Sequence, residues 1–200
     1  MTNKVVIILA EGQTEIEFYK AVIIKAREKM IVPYPCHIEY ADIKGIGNYT
    51  KDAVRKFDFI AKKYPDAEFH VFLCIDSDVF EYSKKPPINK NEIIKMLKDR
   101  GAKDVTCIMA RHSIEDWFLC DMPGVIRYLR LPSSTKKPNG NGQEALRKLF
   151  KSADKLYVKG GKTEGFIEKL NILKIVEVNC TSLKPLCKIL GLDCKLICKK

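Results

Sequence analysis

Seven residues near the N-terminus constrain the fold more than any other segment of the chain. Lys4–Ala10 reads KVVIILA, an unbroken and largely β-branched apolar run that stops at Glu11. Because apolar and polar residues do not alternate, the run predicts a strand buried on both faces, as in parallel sheets covered by helices. Comparable runs predict three more strands at 36–43, 69–75 and 105–109.

Amphipathic stretches separate these runs and predict helices. The first helix starts at Thr14, the second starts near Thr50, and the third opens at Asn89 or Asn91. Strands that alternate with helices form βαβ units, whose strands run parallel. We therefore predict an α/β fold with a Rossmann-like core, in which helices flank a mainly parallel four-stranded sheet.

The strand pattern ends about three fifths of the way along the chain. From Asp121 the sequence is helical in character, with helices expected near 143–153, 163–170 and 181–190. We therefore predict a core over residues 1–120 and a C-terminal helical extension over 121–200 that packs on it. The N-terminal apolar run is too short to cross a bilayer and lacks a small-residue cleavage site. A soluble, cytoplasmic protein with no membrane partner is expected.

Three acidic residues follow predicted strands at the point where each strand ends. Glu11 comes directly after the first strand, and Asp76 and Asp78 come after the third. Sites in open parallel sheets form beyond the carboxyl ends of the strands, so these side chains meet if the two strands are neighbours. Crowded carboxylates repel unless a cation lies among them, and an all-oxygen set suits Mg²⁺ or Mn²⁺. Alternatively, these acids cap helices or solvate loop tips.

The same residues carry a resemblance to a known family. VVIILAEGQTE at 5–15 and LCIDSD at 73–78 resemble the Toprim domain of topoisomerases, bacterial primases and OLD-type nucleases. The Toprim signature is a Glu-Gly after the first strand and an Asp-x-Asp after a later one. This resemblance implies that Glu11 is an acid/base or metal-ligand glutamate, and that Asp76 and Asp78 are Mg²⁺ ligands.

Three further segments extend the resemblance to a stand-alone, OLD-nuclease-like Toprim family of prokaryotes. They are SIEDWFLCD at 113–121, YVKG at 157–160 and CTSLKPL at 180–186. Each motif is short, and their order along the chain is the stronger signal. Stand-alone Toprim proteins typically act in defence against phage and mobile elements, and the resemblance implies such a role here.

Glu115 is a second candidate for a catalytic acid. It follows the fourth strand through a short turn and could reach the sheet edge, or it could be an ordinary first-turn helix glutamate. Glu15 is interpreted as an acid stabilised by the helix dipole, although a second metal would need Glu115 or Glu15. Trp117 is interpreted as a core residue because Phe118 and Leu119 flank it.

The chain is strongly basic, with 36 Lys and Arg against 25 Asp and Glu and a net charge of +11. Such a surface favours polyanions, most often nucleic acid, although it can also be ordinary solubilising lysine. Lys159 is the best-placed phosphate contact because it lies in the YVKG motif. The other candidates for phosphate contact are Lys84, Lys85, Arg111 and Lys162.

These observations predict a Mg²⁺- or Mn²⁺-dependent nuclease, or a related phosphodiester-cleaving enzyme, acting on DNA or RNA. Hydrolysis is favoured because strand transfer requires a catalytic tyrosine from a further domain, for which 200 residues leave little room. The alternative is a non-catalytic basic adaptor or effector that binds nucleic acid and works with a partner ATPase. A phosphatase of a small metabolite is a weaker alternative.

Overall fold

The computed structural model describes residues 3–28, 36–81, 87–159 and 165–191. Its centre is a four-stranded, all-parallel sheet with strand order β2-β1-β3-β4. This confirms the predicted α/β fold with a parallel sheet. The strands are β1 Lys4–Ala10, β2 Cys36–Asp42, β3 Glu68–Asp76 and β4 Ala102–Ala110.

Helices connect the strands and continue beyond them. Those in the first part of the chain are α1 Gln13–Glu28, α2 Tyr49–Lys63, α3 Asp78–Glu81, α4 Lys90–Lys98 and α5 Ile114–Phe118. The C-terminal part contains α6 Met122–Leu129, α7 Gly142–Ser152, α8 Phe166–Lys169, α9 Ile172–Val178 and α10 Cys180–Ile189. The helix predicted at 163–170 lies partly outside the described residues. Among the described ranges, every helix is too short or too polar to cross a bilayer.

β1 is a central strand and is buried on both faces. Val5, Ile7 and Leu9 belong to one hydrophobic cluster, which includes residues of α2 and α4. Val6 and Ile8 point to the opposite face, where they join a cluster built with α1 and the C-terminal helices. Because successive side chains of a strand point to opposite faces, only an unbroken apolar run can fill both clusters.

The C-terminal helices share their core with the sheet. Leu146, Phe166 and Leu183 lie in the same buried cluster as Ile8 and Phe18. The C-terminal segment therefore packs on one face of the sheet, while the boundary at residue 120 stays a prediction.

The tryptophan is part of this shared core, as its sequence neighbours predicted. Trp117 is 2% exposed, and its ring centroid lies 5.9 Å from that of Phe18.

β4 begins three residues before the predicted strand at 105–109. The additional residues, Ala102 to Asp104, are partly polar, and main-chain pairing with β3 places Asp104 opposite His70. Hydrogen bonding between strands does not require apolar side chains. Hydrophobic pattern alone therefore underestimated the length of this strand.

Candidate functional site

The strand order places the ends of β1 and β3 side by side. Oε1 of Glu11 accepts a hydrogen bond from the backbone nitrogen of Asp76 at 3.3 Å. The chain leaves β1 in one direction toward β2 and later returns on its other side as β3. Parallel sheets form their binding crevices at such a switch point. The predicted convergence of Glu11 with Asp76 is therefore present in the structure.

Asp76 is the last residue of β3, and it is 2% exposed. Its Oδ1 accepts a hydrogen bond from the backbone nitrogen of Ile114 at 2.9 Å. Its Oδ2 accepts one from Nζ of Lys159 at 2.7 Å. One carboxylate thus joins the end of β3 to the first residue of α5 and to the segment after α7.

Asp78 lies two residues further on, at the start of α3, and it is half-buried. Its backbone nitrogen donates to the carbonyl of His112 at 3.0 Å. Within the described ranges, its buried Oδ1 has no hydrogen-bond partner. Its charge raises the pKa values of Glu11 and Lys159, so this carboxylate belongs to the same electrostatic cluster.

Glu115 is fully buried, which excludes a solvent-facing position in the first turn of α5. Its Oε1 accepts a hydrogen bond from the hydroxyl of Tyr157 at 2.9 Å. Its Oε2 has no partner among the residues that the structure describes. Tyr157 itself packs against Phe150 of α7, so the C-terminal segment holds Glu115 in place.

Glu15 also belongs to this cluster, contrary to its interpretation as a simple helix-dipole acid. It does lie in the first turn of α1, but it is 5% exposed, and its Oε2 has no described partner. Burial, reinforced by the charges of Asp76 and Glu11, raises its pKa to about 8. The signal was its spacing: Glu15 falls on the stripe that continues through Phe18 and Val22, and a helix buries that face.

The acidic cluster is defined as Glu11, Glu15, Asp76, Asp78 and Glu115, and burial is the largest influence on the pKa values of Glu11, Glu15 and Asp76. Burial raises the pKa of Asp76 to about 7, although the ammonium of Lys159 acts in the opposite direction. Burial also raises the pKa of Glu11, against the backbone hydrogen bond from Asp76 and the charge of Lys159. Negative charge is therefore costly here in the absence of a further cation.

Lys159 carries the positive charge at this cluster. Burial, the largest single influence, lowers its pKa, but the carboxylates of Asp76, Glu115 and Asp78 together outweigh burial and raise it. The ammonium is therefore charged throughout the neutral range. Of the predicted basic residues that the structure describes, it is the one that contacts an acid of the cluster.

Of the other predicted basic residues, the structure describes Arg111 alone. Arg111 is exposed in the loop after β4, where its charge helps to lower the pKa of Glu81. Lys84, Lys85 and Lys162 lie outside the described residues.

Hydrogen bonds between neighbouring loops stabilise the edge that carries Asp76 and Asp78. The hydroxyl of Ser77 donates to Oε1 of Glu81 at 2.8 Å and accepts from the backbone nitrogen of His112 at 2.8 Å. Nδ1 of His112 lies 2.9 Å from Oε2 of Glu81. His112 adopts a left-handed φ of 61°, which is uncommon outside glycine. It therefore contributes to the shape of this edge.

A cavity of about 600 Å³ opens beside the acidic cluster. Its lining residues are Glu11, Gly12, Glu15, Asp42, Lys44, Gly45 and Lys159. Asp42 was not predicted as a site residue. The second strand was expected to continue to residue 43, which placed Asp42 within it, whereas β2 ends at Asp42.

No family model, curated protein or solved structure matches this chain. The Toprim resemblance therefore stays a prediction carried by short motifs.

The acidic cluster offers oxygen donors but not a closed metal site. Within the described part of the chain, no three His, Cys, Asp or Glu side chains form a group that could hold a metal ion. Lys159 contacts Oδ2 of Asp76, an oxygen that a cation would otherwise use. However, buried oxygens without a described partner occur on Glu15, Asp78 and Glu115. Buried polar atoms are normally satisfied, and hard oxygen donors fit Mg²⁺ or Mn²⁺.

Proposed function

We propose that this protein is a Mg²⁺- or Mn²⁺-dependent phosphodiesterase that cleaves nucleic acid, with Glu11, Asp76 and Asp78 as the metal-binding residues. One observation carries the proposal: five carboxylates gather at one edge of the sheet in a chain of net charge +11. Perturbed carboxylates clustered in a crevice are typical of functional sites. The Toprim motifs support the same assignment.

The electrostatics of the cluster favour a bound divalent cation. Lys159 supplies one positive charge against five acids, and burial raises the pKa values of Glu11, Glu15 and Asp76. A group that prefers to be protonated in the free protein becomes a good ligand when a cation stabilises its charged form. A cation that draws Asp76 away from Lys159 would leave the lysine free to contact substrate.

Each residue then has a definite part in hydrolysis. A bound Mg²⁺ would polarise the phosphate and lower the pKa of a water molecule. Glu11, at the end of β1 beside Asp76, would orient the attacking water or accept its proton. Lys159 would contact a non-bridging phosphate oxygen, and Tyr157 fixes the orientation of Glu115.

The positive net charge of the chain favours nucleic acid over a small phosphorylated metabolite as the substrate. The net charge of +11 attracts a polyanion over long distances and raises its rate of association. Arg111, exposed in the loop after β4, would contact a neighbouring phosphate. A cytoplasmic role in defence against phage or mobile elements follows from the Toprim resemblance and is part of the proposal.

Cleavage assays test this proposal directly. Labelled single-stranded DNA, duplex DNA and RNA are incubated with the protein in Mg²⁺, Mn²⁺ or EDTA, beside a generic phosphomonoester. We expect divalent-dependent cleavage of at least one nucleic acid, reduced about a hundredfold in Asp76→Asn and Glu11→Gln. Asp66→Asn, an exposed acid in the turn before β3, serves as the matched control.

Cleavage of the phosphomonoester alone would favour the phosphatase. Cleavage that persists in Asp76→Asn would contradict the assignment of the site.

A non-catalytic adaptor is the second candidate, and the ion pair between Lys159 and Asp76 favours it. The pair already satisfies one buried carboxylate without a metal. Calorimetric titration of the wild type and Asp76→Ala with Mg²⁺ and Mn²⁺ distinguishes the metal-dependent enzyme from the adaptor. Negligible heat from both proteins, together with tight binding of nucleic acid, would establish the adaptor and justify a search for a partner ATPase.

A further inference from the structure

The cavity beside the acidic cluster has a second wall that the proposed reaction does not use. This wall consists of Asp42, at the end of β2, and Lys44 and Gly45, from the loop that follows it. It adjoins Glu11 because β2 is the neighbour of β1. The cavity, at about 600 Å³, is within the range of pockets that hold small ligands, including a single nucleotide.

Asp42 lies at a position with a known use in doubly wound sheets. It is the last residue of β2, paired in register with Ala10 at the end of β1. When the phosphate of a nucleotide lies at the end of the first strand, its ribose lies near the end of the neighbouring strand. An acid at this place accepts hydrogen bonds from ribose hydroxyls in dinucleotide-binding folds.

A dinucleotide does not fit this chain. The turn after β1 carries Glu11 and Gly12 in place of a glycine-rich loop, and Glu15 follows in the first turn of α1. These acids would repel a pyrophosphate at that helix end. A phosphate group bound in this cavity would therefore have to be held by cations.

The loop holds Asp42 in a defined orientation. Oδ1 of Asp42 accepts a hydrogen bond from the backbone nitrogen of Lys44 at 2.7 Å. The nitrogen of Gly45 donates to the carbonyl of Glu11 at 2.8 Å, which ties the loop to the end of β1. Lys44 adopts a left-handed φ of 57°, a conformation that costs energy for a lysine. The described hydrogen bonds engage Oδ1 of Asp42 and leave Oδ2 for a ligand.

Two lysines supply the positive charge of the cavity. Lys44 is exposed and comes from the β2–α2 loop, and Lys159 comes from the segment after α7. Ammonium groups bind phosphate as point charges. The cavity thus combines an acceptor suited to a hydroxyl with cations suited to a phosphate.

We infer that this cavity receives one ribonucleotide unit of an RNA strand, with Asp42 accepting a hydrogen bond from the ribose 2′-hydroxyl and Lys44 contacting a phosphate. The inference rests on the proposed function in taking nucleic acid as the ligand, and it names RNA as the substrate class. DNA lacks the donor that Asp42 would accept. The carboxylate then lies beside deoxyribose without a partner, so DNA binds less well.

Binding measured in EDTA tests the inference while the strand stays intact. Fluorescence anisotropy compares RNA, DNA and 2′-O-methyl RNA of one single-stranded sequence. We expect the wild-type protein to bind RNA about tenfold more tightly than either of the other two. The methylated strand keeps the sugar conformation of RNA but lacks the hydroxyl donor.

Variants assign the preference to Asp42. Asp42→Asn keeps an oxygen for the Lys44 nitrogen and should bind all three strands with similar affinity. Lys44→Gln should weaken RNA and DNA binding by the same factor. Asp66→Asn and Lys51→Gln, both exposed, are the matched controls and should retain the wild-type ratios.

Several results would overturn the inference. They are equal wild-type affinity for RNA and 2′-O-methyl RNA, an RNA preference that survives in Asp42→Asn, and no binding of any strand. The first comparison needs no variant, so misfolding of Asp42→Asn cannot obscure it. Cleavage is scored separately in Mg²⁺ or Mn²⁺. An RNA preference that depends on Asp42 without any cleavage would uphold the inference and reject the proposed enzyme.

Discussion

The ammonium nitrogen of Lys159 lies 2.7 Å from Oδ2 of Asp76, across 83 residues of sequence. The Lys159 side chain is 28% exposed and that of Asp76 is 3% exposed, so solvent screens the pair only in part. This contact joins the segment after α7 to the end of β3. It also places a positive charge where the acids would otherwise repel one another.

Removing this ammonium should destabilise the metal-free protein. In Lys159→Met, Asp76 loses its partner, and we expect the free energy of unfolding at pH 7 to fall by about 1 to 3 kcal/mol. Urea unfolding in EDTA measures the loss, and Lys151→Met, an exposed change on α7, is the control. Added Mg²⁺ should restore more stability to Lys159→Met than to the wild type, because the cation then replaces the lysine. An unchanged midpoint in EDTA would show that the pair contributes nothing.

Glu15 should make the metal-free protein less stable as the pH rises. Its pKa is about 8 in the folded protein against an ordinary value of 4.5. Because the folded-state pKa is the higher one, the folded protein binds the proton more tightly than the unfolded chain. The stabilisation is complete below pH 4.5 and is lost as the pH rises toward about 8.

Unfolding in urea at pH 5.5 and pH 8 in EDTA checks this dependence. The free energy of unfolding of the wild type should fall between pH 5.5 and pH 8. In Glu15→Gln this fall should be smaller by about 2 to 4 kcal/mol. Asp76, with a pKa of about 7, contributes in the same direction and should leave part of the loss in place. Glu177→Gln, an exposed change on α9, should behave as the wild type. Equal pH profiles for wild type and Glu15→Gln would contradict the raised pKa of the buried Glu15 side chain.

The hydrogen bond from Tyr157 to Glu115 should stabilise both the site and the C-terminal segment. Tyr157→Phe leaves a fully buried carboxylate without its donor, and we expect a loss of about 1 to 3 kcal/mol. A double-mutant cycle with Glu115→Ala, which removes the acceptor, isolates the pair from the packing of the ring, and a coupling of about 1 kcal/mol is expected. A coupling near zero would mean that the two groups do not interact in solution.

The core shared by the sheet and the C-terminal helices should unfold as one unit. Phe18 is fully buried, and its ring lies against those of Tyr19, Trp117 and Phe118. Phe18→Ala should cost about 3 to 5 kcal/mol, because it leaves a cavity between α1 and α5.

Two probes follow that transition: the fluorescence of Trp117, the one tryptophan of the chain, and far-ultraviolet circular dichroism. Coincident curves are expected for the wild type. Phe59→Ala, where the ring is 61% exposed, should change stability by less than about 1 kcal/mol. Separated transitions would favour two independently folding parts near the predicted boundary at residue 120.

Local pattern was enough to predict where the four strands lie, although not the full length of β4, and which acids follow them. An unbroken apolar run such as Lys4–Ala10 has one favourable use, a strand buried on both faces. The residue after such a strand must emerge at the sheet edge, so Glu11 and Asp76 could be assigned without coordinates. These conclusions depend on neighbours in sequence, which is why they held.

The tertiary structure decided everything that depends on contacts across the chain. Strand order makes β2 the neighbour of β1 and so brings Asp42 to the cavity. The packing of α1 turns Glu15 inward, and the segment after α7 brings Lys159 to Asp76. The sequence does not indicate which partner a given carboxylate or ammonium group will contact. That choice follows from how the helices and strands fill a common core, since only packing fixes the distances on which electrostatic interactions depend.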